Sequence, residues 1–186
     1  MRIITGRARG VKLNTLEGEN TRPTSERAKE AVFSMIQFDI EGREVLDLFA
    51  GSGQMGLEAV SRGAACATFV DKSRDAARVI SQNIEKTRLS DSCRLFTSDV
   101  NDFLRVTKGK KKYDVVFIDP PYALRAVPTT LKALLEGEML KPTSIVVCES
   151  EEADVFESDP ALGARFETVK RAKYGVAHIT IVKPII

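Results

Sequence analysis

Short apolar runs alternate along this chain with longer amphipathic stretches, the pattern of a parallel sheet whose strands are joined by helices. The apolar runs predict strands over Glu44 to Phe49, Ala67 to Asp71, Cys93 to Thr97, Asp114 to Asp119 and Ser144 to Glu149. Between them, helical spacing predicts helices at about Gln54 to Arg62, Ser73 to Arg88, Val100 to Val106 and Ala126 to Leu135. Val115, Val116, Phe117 and Ile118 are all apolar, so both faces of that strand should be covered by helices and the strand should be central. The end of the chain differs: Phe166 to Lys173 and Val176 to Lys183 predict an antiparallel pair joined at Tyr174-Gly175.

Ahead of the first central strand lies a separate piece. Residues 1 to 22 are basic and rich in Gly and Thr, which predicts a small hairpin or an irregular arm. Pro23-Thr24-Ser25-Glu26 then starts a helix, with Thr24 as its N-cap and Glu26 in the positive first turn. Ala28, Ala31, Val32, Met35 and Ile36 recur at helical spacing and mark its core face. There is no internal repeat and no long linker. The expected organisation is an arm over residues 1–22 and one domain over residues 23–186.

Composition narrows this pattern to one soluble α/β domain: 186 residues, 43% hydrophobic and 29% charged. No apolar run is long enough to cross a bilayer, and the start of the chain does not read as a signal peptide, so the expected location is the cytoplasm. Cys66, Cys93 and Cys148 stand singly, which predicts reduced thiols rather than a disulfide or a zinc site. His178 is the only histidine and is expected to be structural, so no metal is expected. Tyr174 is expected to pack beside its turn.

The net charge of +2 hides an uneven distribution. Arg2, Arg7, Arg9 and Lys12 stand with no acid among residues 1 to 12, and a second basic cluster runs Arg105, Lys108, Lys110, Lys111, Lys112. Glu149, Glu151, Glu152, Asp154, Glu157 and Asp159 form an acidic stretch. Any one such run is usually a solvated surface. Two basic blocks in a nearly neutral chain raise the odds of a polyanionic partner.

Two constellations carry chemistry. In the first, a strand ending Asp47-Leu48-Phe49-Ala50 runs into Gly51-Ser52-Gly53, and a helix opens beyond it with Gly56. Gly51 and Gly53 let a ligand approach the backbone, and the helix N-terminus offers free N–H groups. Asp71, 20 residues beyond Gly51 at the end of the next strand, suits a ribose diol. Together these point to a nucleoside-type cofactor.

The second constellation is Asp119-Pro120-Pro121-Tyr122, at the end of the central strand. Two prolines end a strand on their own account. An acid and an aromatic on either side of them call for a further reason. An exocyclic base amine is a poor nucleophile, because its lone pair is delocalised into the ring. The Asp119 carboxylate and the Pro120 carbonyl can accept its two N–H bonds and favour a pyramidal nitrogen. The prolines stiffen the backbone, and Tyr122 offers a face on which an extruded base stacks.

The run Asp47 to Gly53 resembles motif I of the class I methyltransferases, which implies S-adenosylmethionine as cofactor and a Rossmann-like, mostly parallel seven-stranded sheet ending in an antiparallel hairpin. Carried over, Asp47, Phe49, Gly51 and Gly53 line the methionine and ribose portion, Asp71 takes the ribose, and Asp99 lies near the adenine or caps the helix that follows it. Asp/Asn-Pro-Pro-Tyr/Phe motifs recur in amino-methyltransferases, which implies Asp119, Pro120, Pro121 and Tyr122 as catalytic. The segments Arg2 to Leu13 and Thr21 to Phe33, with Gly56-Leu57-Glu58-Ala59, resemble the bacterial RsmD family, whose members methylate guanine N2 in 16S ribosomal RNA. The resemblance implies an arm that contacts RNA through Arg2, Arg7, Arg9 and Lys12, and an Arg22-Pro23-Thr24 turn that abuts the cofactor. The implied partner is 16S rRNA or the assembling 30S subunit, and a monomer is the default state. Ala8 and Gln54 depart from the family, which often carries tryptophan and alanine there. The competing readings are a DNA adenine-N6 methyltransferase, a protein glutamine methyltransferase, a non-catalytic RNA-binding assembly factor and an NAD-dependent enzyme.

Overall fold

The computed structural model describes residues 1–16 and 23–186, with side chains from residue 26 onward in the second stretch. The first helix, α1 (Pro23–Met35), begins one residue before the expected Thr24 cap, since proline is preorganised for the first helical position. Then follow β1 (Glu44–Leu48), α2 (Gln54–Ser61), β2 (Cys66–Asp71), α3 (Arg74–Thr87), β3 (Cys93–Thr97), α4 (Val100–Thr107), β4 (Tyr113–Ile118), α5 (Val127–Glu136) and β5 (Leu140–Ser150). A short helix, α6 (Pro160–Gly163), precedes the hairpin of β6 (Phe166–Tyr174) and β7 (Ala177–Pro184).

The strands form one seven-stranded sheet in the order β3-β2-β1-β4-β5-β7-β6. β1 to β5 run parallel, and β7 runs antiparallel between β5 and β6. The fully buried β4 is central, as its unbroken apolar run requires. β5 starts at Leu140, four residues earlier than expected. Pro142 masks its beginning, and the β4–β5 register shifts there, between Tyr113 and Val115. The hairpin turn falls on Gly175-Val176 rather than Tyr174-Gly175, because Tyr174 pairs with Ala177 and stays in the ladder. His178 therefore lies on an inner strand, with Nδ1 2.9 Å from the Glu151 carbonyl oxygen.

Strand alternation sends successive side chains to opposite faces and builds two cores. One gathers Phe33, Val45, Leu57, Phe69, Ile80, Phe117 and Val147. The other gathers Leu46, Val70, Phe103, Val116, Leu131 and Val146. Ile3, Ala8 and Leu13 of the N-terminal arm are buried in the first, so the arm is fixed on the α1–α2 face of the sheet.

The arm folds back on itself: Arg2 bridges Lys12, the Gly10 N–H donates to the Ile3 carbonyl (2.8 Å) and the Ile3 N–H to the Val11 carbonyl (3.0 Å). Its tip presses so close to α2 that a Cβ at Gly6 (φ +86°) would lie 1.8 Å from the Ser61 carbonyl oxygen. Ser61 Oγ accepts from the Ala8 N–H (3.0 Å) and donates to the Thr5 carbonyl (2.6 Å). Ala8 is buried here, so the position that departs from tryptophan packs into the core.

Candidate active site

The strand order reverses between β1 and β4, and ligands bind at such switch points beyond the carboxyl ends of the strands. Leu48 pairs with Ile118 and Val70 with Leu48. The loops after β1, β2 and β4 therefore leave the sheet side by side. They border one cavity of about 790 Å³, whose lining includes Asp47, Phe49, Gly51, Asp71, Asp99, Asp119, Pro120, Pro121 and Tyr122. Its volume lies within the range that holds a nucleoside-sized ligand.

The cofactor loop is held by acids as much as by glycines. Gly51 and Gly53 adopt φ of +55° and +75°, the left-handed region open to glycine at little cost. Phe49 holds φ +59°, a strained conformation for a bulky residue, of the kind that clusters at functional sites. Asp71 accepts from the Gly51 N–H and the Ser73 N–H, each at 2.9 Å. Asp47 is buried and accepts from the Gly56 N–H at 2.9 Å. A Cβ at Gly56 would stand 2.4 Å from the Phe69 ring, so α2 rests directly on β2. Asp99 caps α4 through the Asn101 N–H (2.9 Å) and also borders the cavity.

Burial pushes the Asp47 carboxyl up to about 7, against the lowering effect of the Gly56 N–H. The folded state therefore keeps a proton that the unfolded chain sheds near pH 4, and stability falls as pH rises between those values. We expect the cofactor-free protein to lose up to about 1.4 kcal/mol per pH unit from this group across that window. Urea midpoints at pH 5 and pH 7 check it: Asp47→Asn should lose less stability than the wild type between the two.

Beyond β4, Pro120 is buried, Asp119 is exposed to the cavity, and Tyr122 is half-buried. The Tyr122 hydroxyl donates to Glu149 Oε1 at 3.0 Å. Burial and the Glu149 charge both push the Tyr122 hydroxyl above its usual pKa, so it stays a donor. Glu149, read from the sequence as one member of an acidic run, stands at the end of β5 and lines the cavity. Gln54, Met55 and Leu16 also border it.

The arm's anchors were likewise not singled out. Glu58 is fully buried on α2 and accepts the Ile4 N–H (2.8 Å), the Thr5 N–H (3.0 Å) and Arg62 Nε (2.8 Å). Lys29 of α1 lies 3.5 Å from the same carboxylate and donates to the Arg2 carbonyl at 2.6 Å. Asn83 of α3, also fully buried, donates to the carbonyls of Asn14 (3.0 Å) and Ser52 (2.9 Å), which ties the arm to the cofactor loop. The signal for these residues was a polar group inside an otherwise apolar helical stripe.

Arg2, Arg7, Arg9 and Lys12 are all exposed on the arm. Arg2 and Arg9, with Arg27, border a surface hollow of about 440 Å³ that also contains Glu26 and Glu30. The second basic cluster lies elsewhere: Lys111 and Lys112 precede β4, at the end of the sheet opposite Asp119, and Lys111 pairs with Glu44 at 3.2 Å. Arg22 and the side chain of Thr24 lie outside the described residues. Among the described residues, no group of His, Cys, Asp and Glu is placed to hold a metal, and no helix is long and apolar enough to cross a membrane.

Residues 1–183 match the family model described as conserved hypothetical protein 95. Ribosomal RNA small subunit methyltransferase D of Haemophilus influenzae is 36% identical over 81% of this chain and 79% of its own length. The chain belongs to the RsmD methyltransferase family. The Escherichia coli enzyme of the same name is 34% identical over 87% of this chain and 80% of its own. The solved Escherichia coli protein yhhF, described as a candidate methyltransferase, superposes with a TM-score of 0.84 at 30% identity, covering 99% of this chain and 97% of that one. The protein is thus a methyltransferase, and S-adenosylmethionine is the cofactor that the resemblance of Asp47 to Gly53 to motif I implies. The site fits that group. Gly51 lines the cavity, whereas a Cβ at Gly53 would meet Ile80 and Phe69 of the core at 3.3 Å; Asp71 and Asp99 border the cavity with oxygens that would suit a ribose diol, and Asp47 would offer a buried carboxyl to an ammonium.

Proposed function

We propose that this protein methylates the exocyclic N2 of a guanine in small-subunit ribosomal RNA, with Asp119, Pro120, Pro121 and Tyr122 as the reaction site. One observation carries the reading: the Asp-Pro-Pro-Tyr turn and the glycine loop open into a single cavity at the switch point of the sheet. The names of the relatives support the substrate class, and guanine N2 follows from the family.

S-adenosylmethionine brings a methyl group already activated by its sulfonium, so the chain supplies position rather than a strong base. In this reading Asp47, Phe49, Gly51 and Gly53 hold the methionine and ribose, Asp71 the ribose hydroxyls and Asp99 the adenine side. Arg22 and Thr24 are the further cofactor residues that the family resemblance implies. The Asp119 carboxylate and the Pro120 carbonyl accept the two N–H bonds of the target amine, and the Tyr122 ring supports the base. When bound, the cofactor would supply its methyl carbon to the amine nitrogen and leave as a neutral thioether, and the proton that the amine sheds would pass to solvent alongside Asp119. Orientation of this kind contributes roughly 7–11 kcal/mol when the geometry is near attack.

Arg2, Arg7, Arg9 and Lys12, on an arm of residues 1–22, contact RNA phosphates. The remaining 23–186 form the catalytic domain, which acts as a cytoplasmic monomer. Methyl transfer to purified 30S particles, naked 16S rRNA and DNA, run in parallel and read by nuclease digestion with mass spectrometry, tests the assignment. N2-methylguanine in the small-subunit RNA is the expected product. Methylated adenine in the DNA arm instead would overturn it.

A further inference from the structure

We propose that Glu149 determines base specificity, by accepting the N1–H of the guanine whose N2 is methylated; this rests on the guanine reading above. The placement comes from register. Ile118 pairs with Cys148 across β4 and β5, so Asp119 and Glu149 are the next residues on neighbouring parallel strands, at their carboxyl ends. By strand alternation both fall on the face of Phe117 and Val147. There they border a small hollow of about 80 Å³, beside the main cavity, which Gln54 and Lys29 also line.

The hollow presents acceptors and few donors. Gln54 Oε1 is buried with no hydrogen-bond partner among the described residues. The Lys29 ammonium is already engaged, by the Arg2 carbonyl at 2.6 Å and the Glu58 carboxylate at 3.5 Å. Glu149 receives one described hydrogen bond, from the Tyr122 hydroxyl to Oε1 at 3.0 Å. A carboxylate offers about four lone-pair sites. A half-buried one met by a single donor is under-satisfied, and burial raises its pKa accordingly. The site therefore calls for N–H donors on its ligand.

Guanine supplies them. Its Watson–Crick edge carries N1–H and the N2 amine side by side, separated by one ring carbon. With N2 against Asp119 and Pro120, N1–H faces the neighbouring strand, where Glu149 stands. Adenine presents a bare N1 lone pair at the corresponding place, which a carboxylate repels. The Tyr122 hydroxyl then has a second task, holding the Glu149 carboxylate in one orientation.

The test uses 2-aminopurine, which keeps the N2 amine and lacks N1–H. Small-subunit RNA carrying either guanine or 2-aminopurine at the methylated position is compared by kcat/KM. The wild type should prefer guanine by roughly 10²-fold or more, because a site built around a hydrogen bond strongly rejects an analogue that cannot make it. Glu149→Gln should bring the two substrates within about tenfold, since its amide N–H can donate to the bare N1. Glu149→Asp should lose turnover yet keep the preference, and Tyr122→Phe should also keep it. Titration with S-adenosylmethionine should give wild-type affinity for Glu149→Gln, which establishes that the variant is folded. An unchanged preference in Glu149→Gln, or no wild-type preference while guanine is methylated, would overturn the role of Glu149 alone. If Tyr122→Phe lost the preference while Glu149→Gln kept it, the hydroxyl and not the carboxylate would be the reader. Absence of any guanine methylation would instead overturn the reading on which it rests.

Discussion

Asp119→Ala should reduce methyl transfer by roughly 10³-fold, within the span that positioned proton-accepting groups contribute, while S-adenosylmethionine still binds within a few-fold of wild type. The contrast follows from where Asp119 sits. It leaves the sheet after β4, across the switch point from the glycine loop, and lines the cavity that this loop also borders. The contacts that shape the cofactor loop come from other residues: Asp71 to Gly51 and Ser73, and Asp47 to Gly56. Asp119 is exposed, so its removal leaves neither core unfilled. Asp119→Asn keeps one acceptor oxygen and should retain part of the rate. Single-turnover transfer beside equilibrium titration separates the two effects. Loss of cofactor affinity in step with rate would assign Asp119 to the binding loop rather than to the amine.

The largest stability effect is expected from Glu58→Ala. This carboxylate is fully buried and faces two cations, Lys29 and Arg62, and two backbone N–H groups of the arm. Deleting it strips a buried ammonium of its nearest counter-charge, and breaking such a pair costs about 3–5 kcal/mol. For a chain of this length that amounts to a fall in melting temperature of roughly 6–20 °C. Burial already lowers the Lys29 pKa, and Glu58 partly restores it. Without Glu58 that lysine is expected to lose its proton and its hold on the Arg2 carbonyl more readily. The arm should then detach and become sensitive to limited proteolysis ahead of the domain. Glu58→Gln keeps an acceptor for one arm N–H and should fall between. A variant that melts like the wild type with a protected arm would show that core packing of Ile3, Ala8 and Leu13 suffices to hold it.

Much of this protein was legible in its local chemistry. Alternating apolar and amphipathic stretches determined the α/β class, and the unbroken run of Val115 to Ile118 marked the central strand, because only a strand covered on both faces can be apolar throughout. The glycine loop and the Asp-Pro-Pro-Tyr turn were readable because each is contiguous: conformational need and chemistry lie in a few consecutive residues. Element ends were less so. Proline hid the start of β5, and the same residue type moved the start of α1.

What tertiary structure alone decided is which distant residues meet. Strand order brought the loops after β1 and β4 into one cavity, although Asp47 and Asp119 are far apart along the chain. Lys29, Glu58 and Asn83 looked like ordinary polar positions on helices, and packing turned them into the bolts of the arm, since a buried charge is tolerable only beside its partner. The two basic blocks read alike in sequence. Folding placed one on the arm and the other at the far end of the sheet, because the direction of β4 separates Lys112 from Asp119 by the full length of the strand. Glu149 passed as one acid in a run of acids. The β4–β5 register set it beside Asp119, and pairing across strands is a property of the sheet that no single stretch of sequence contains.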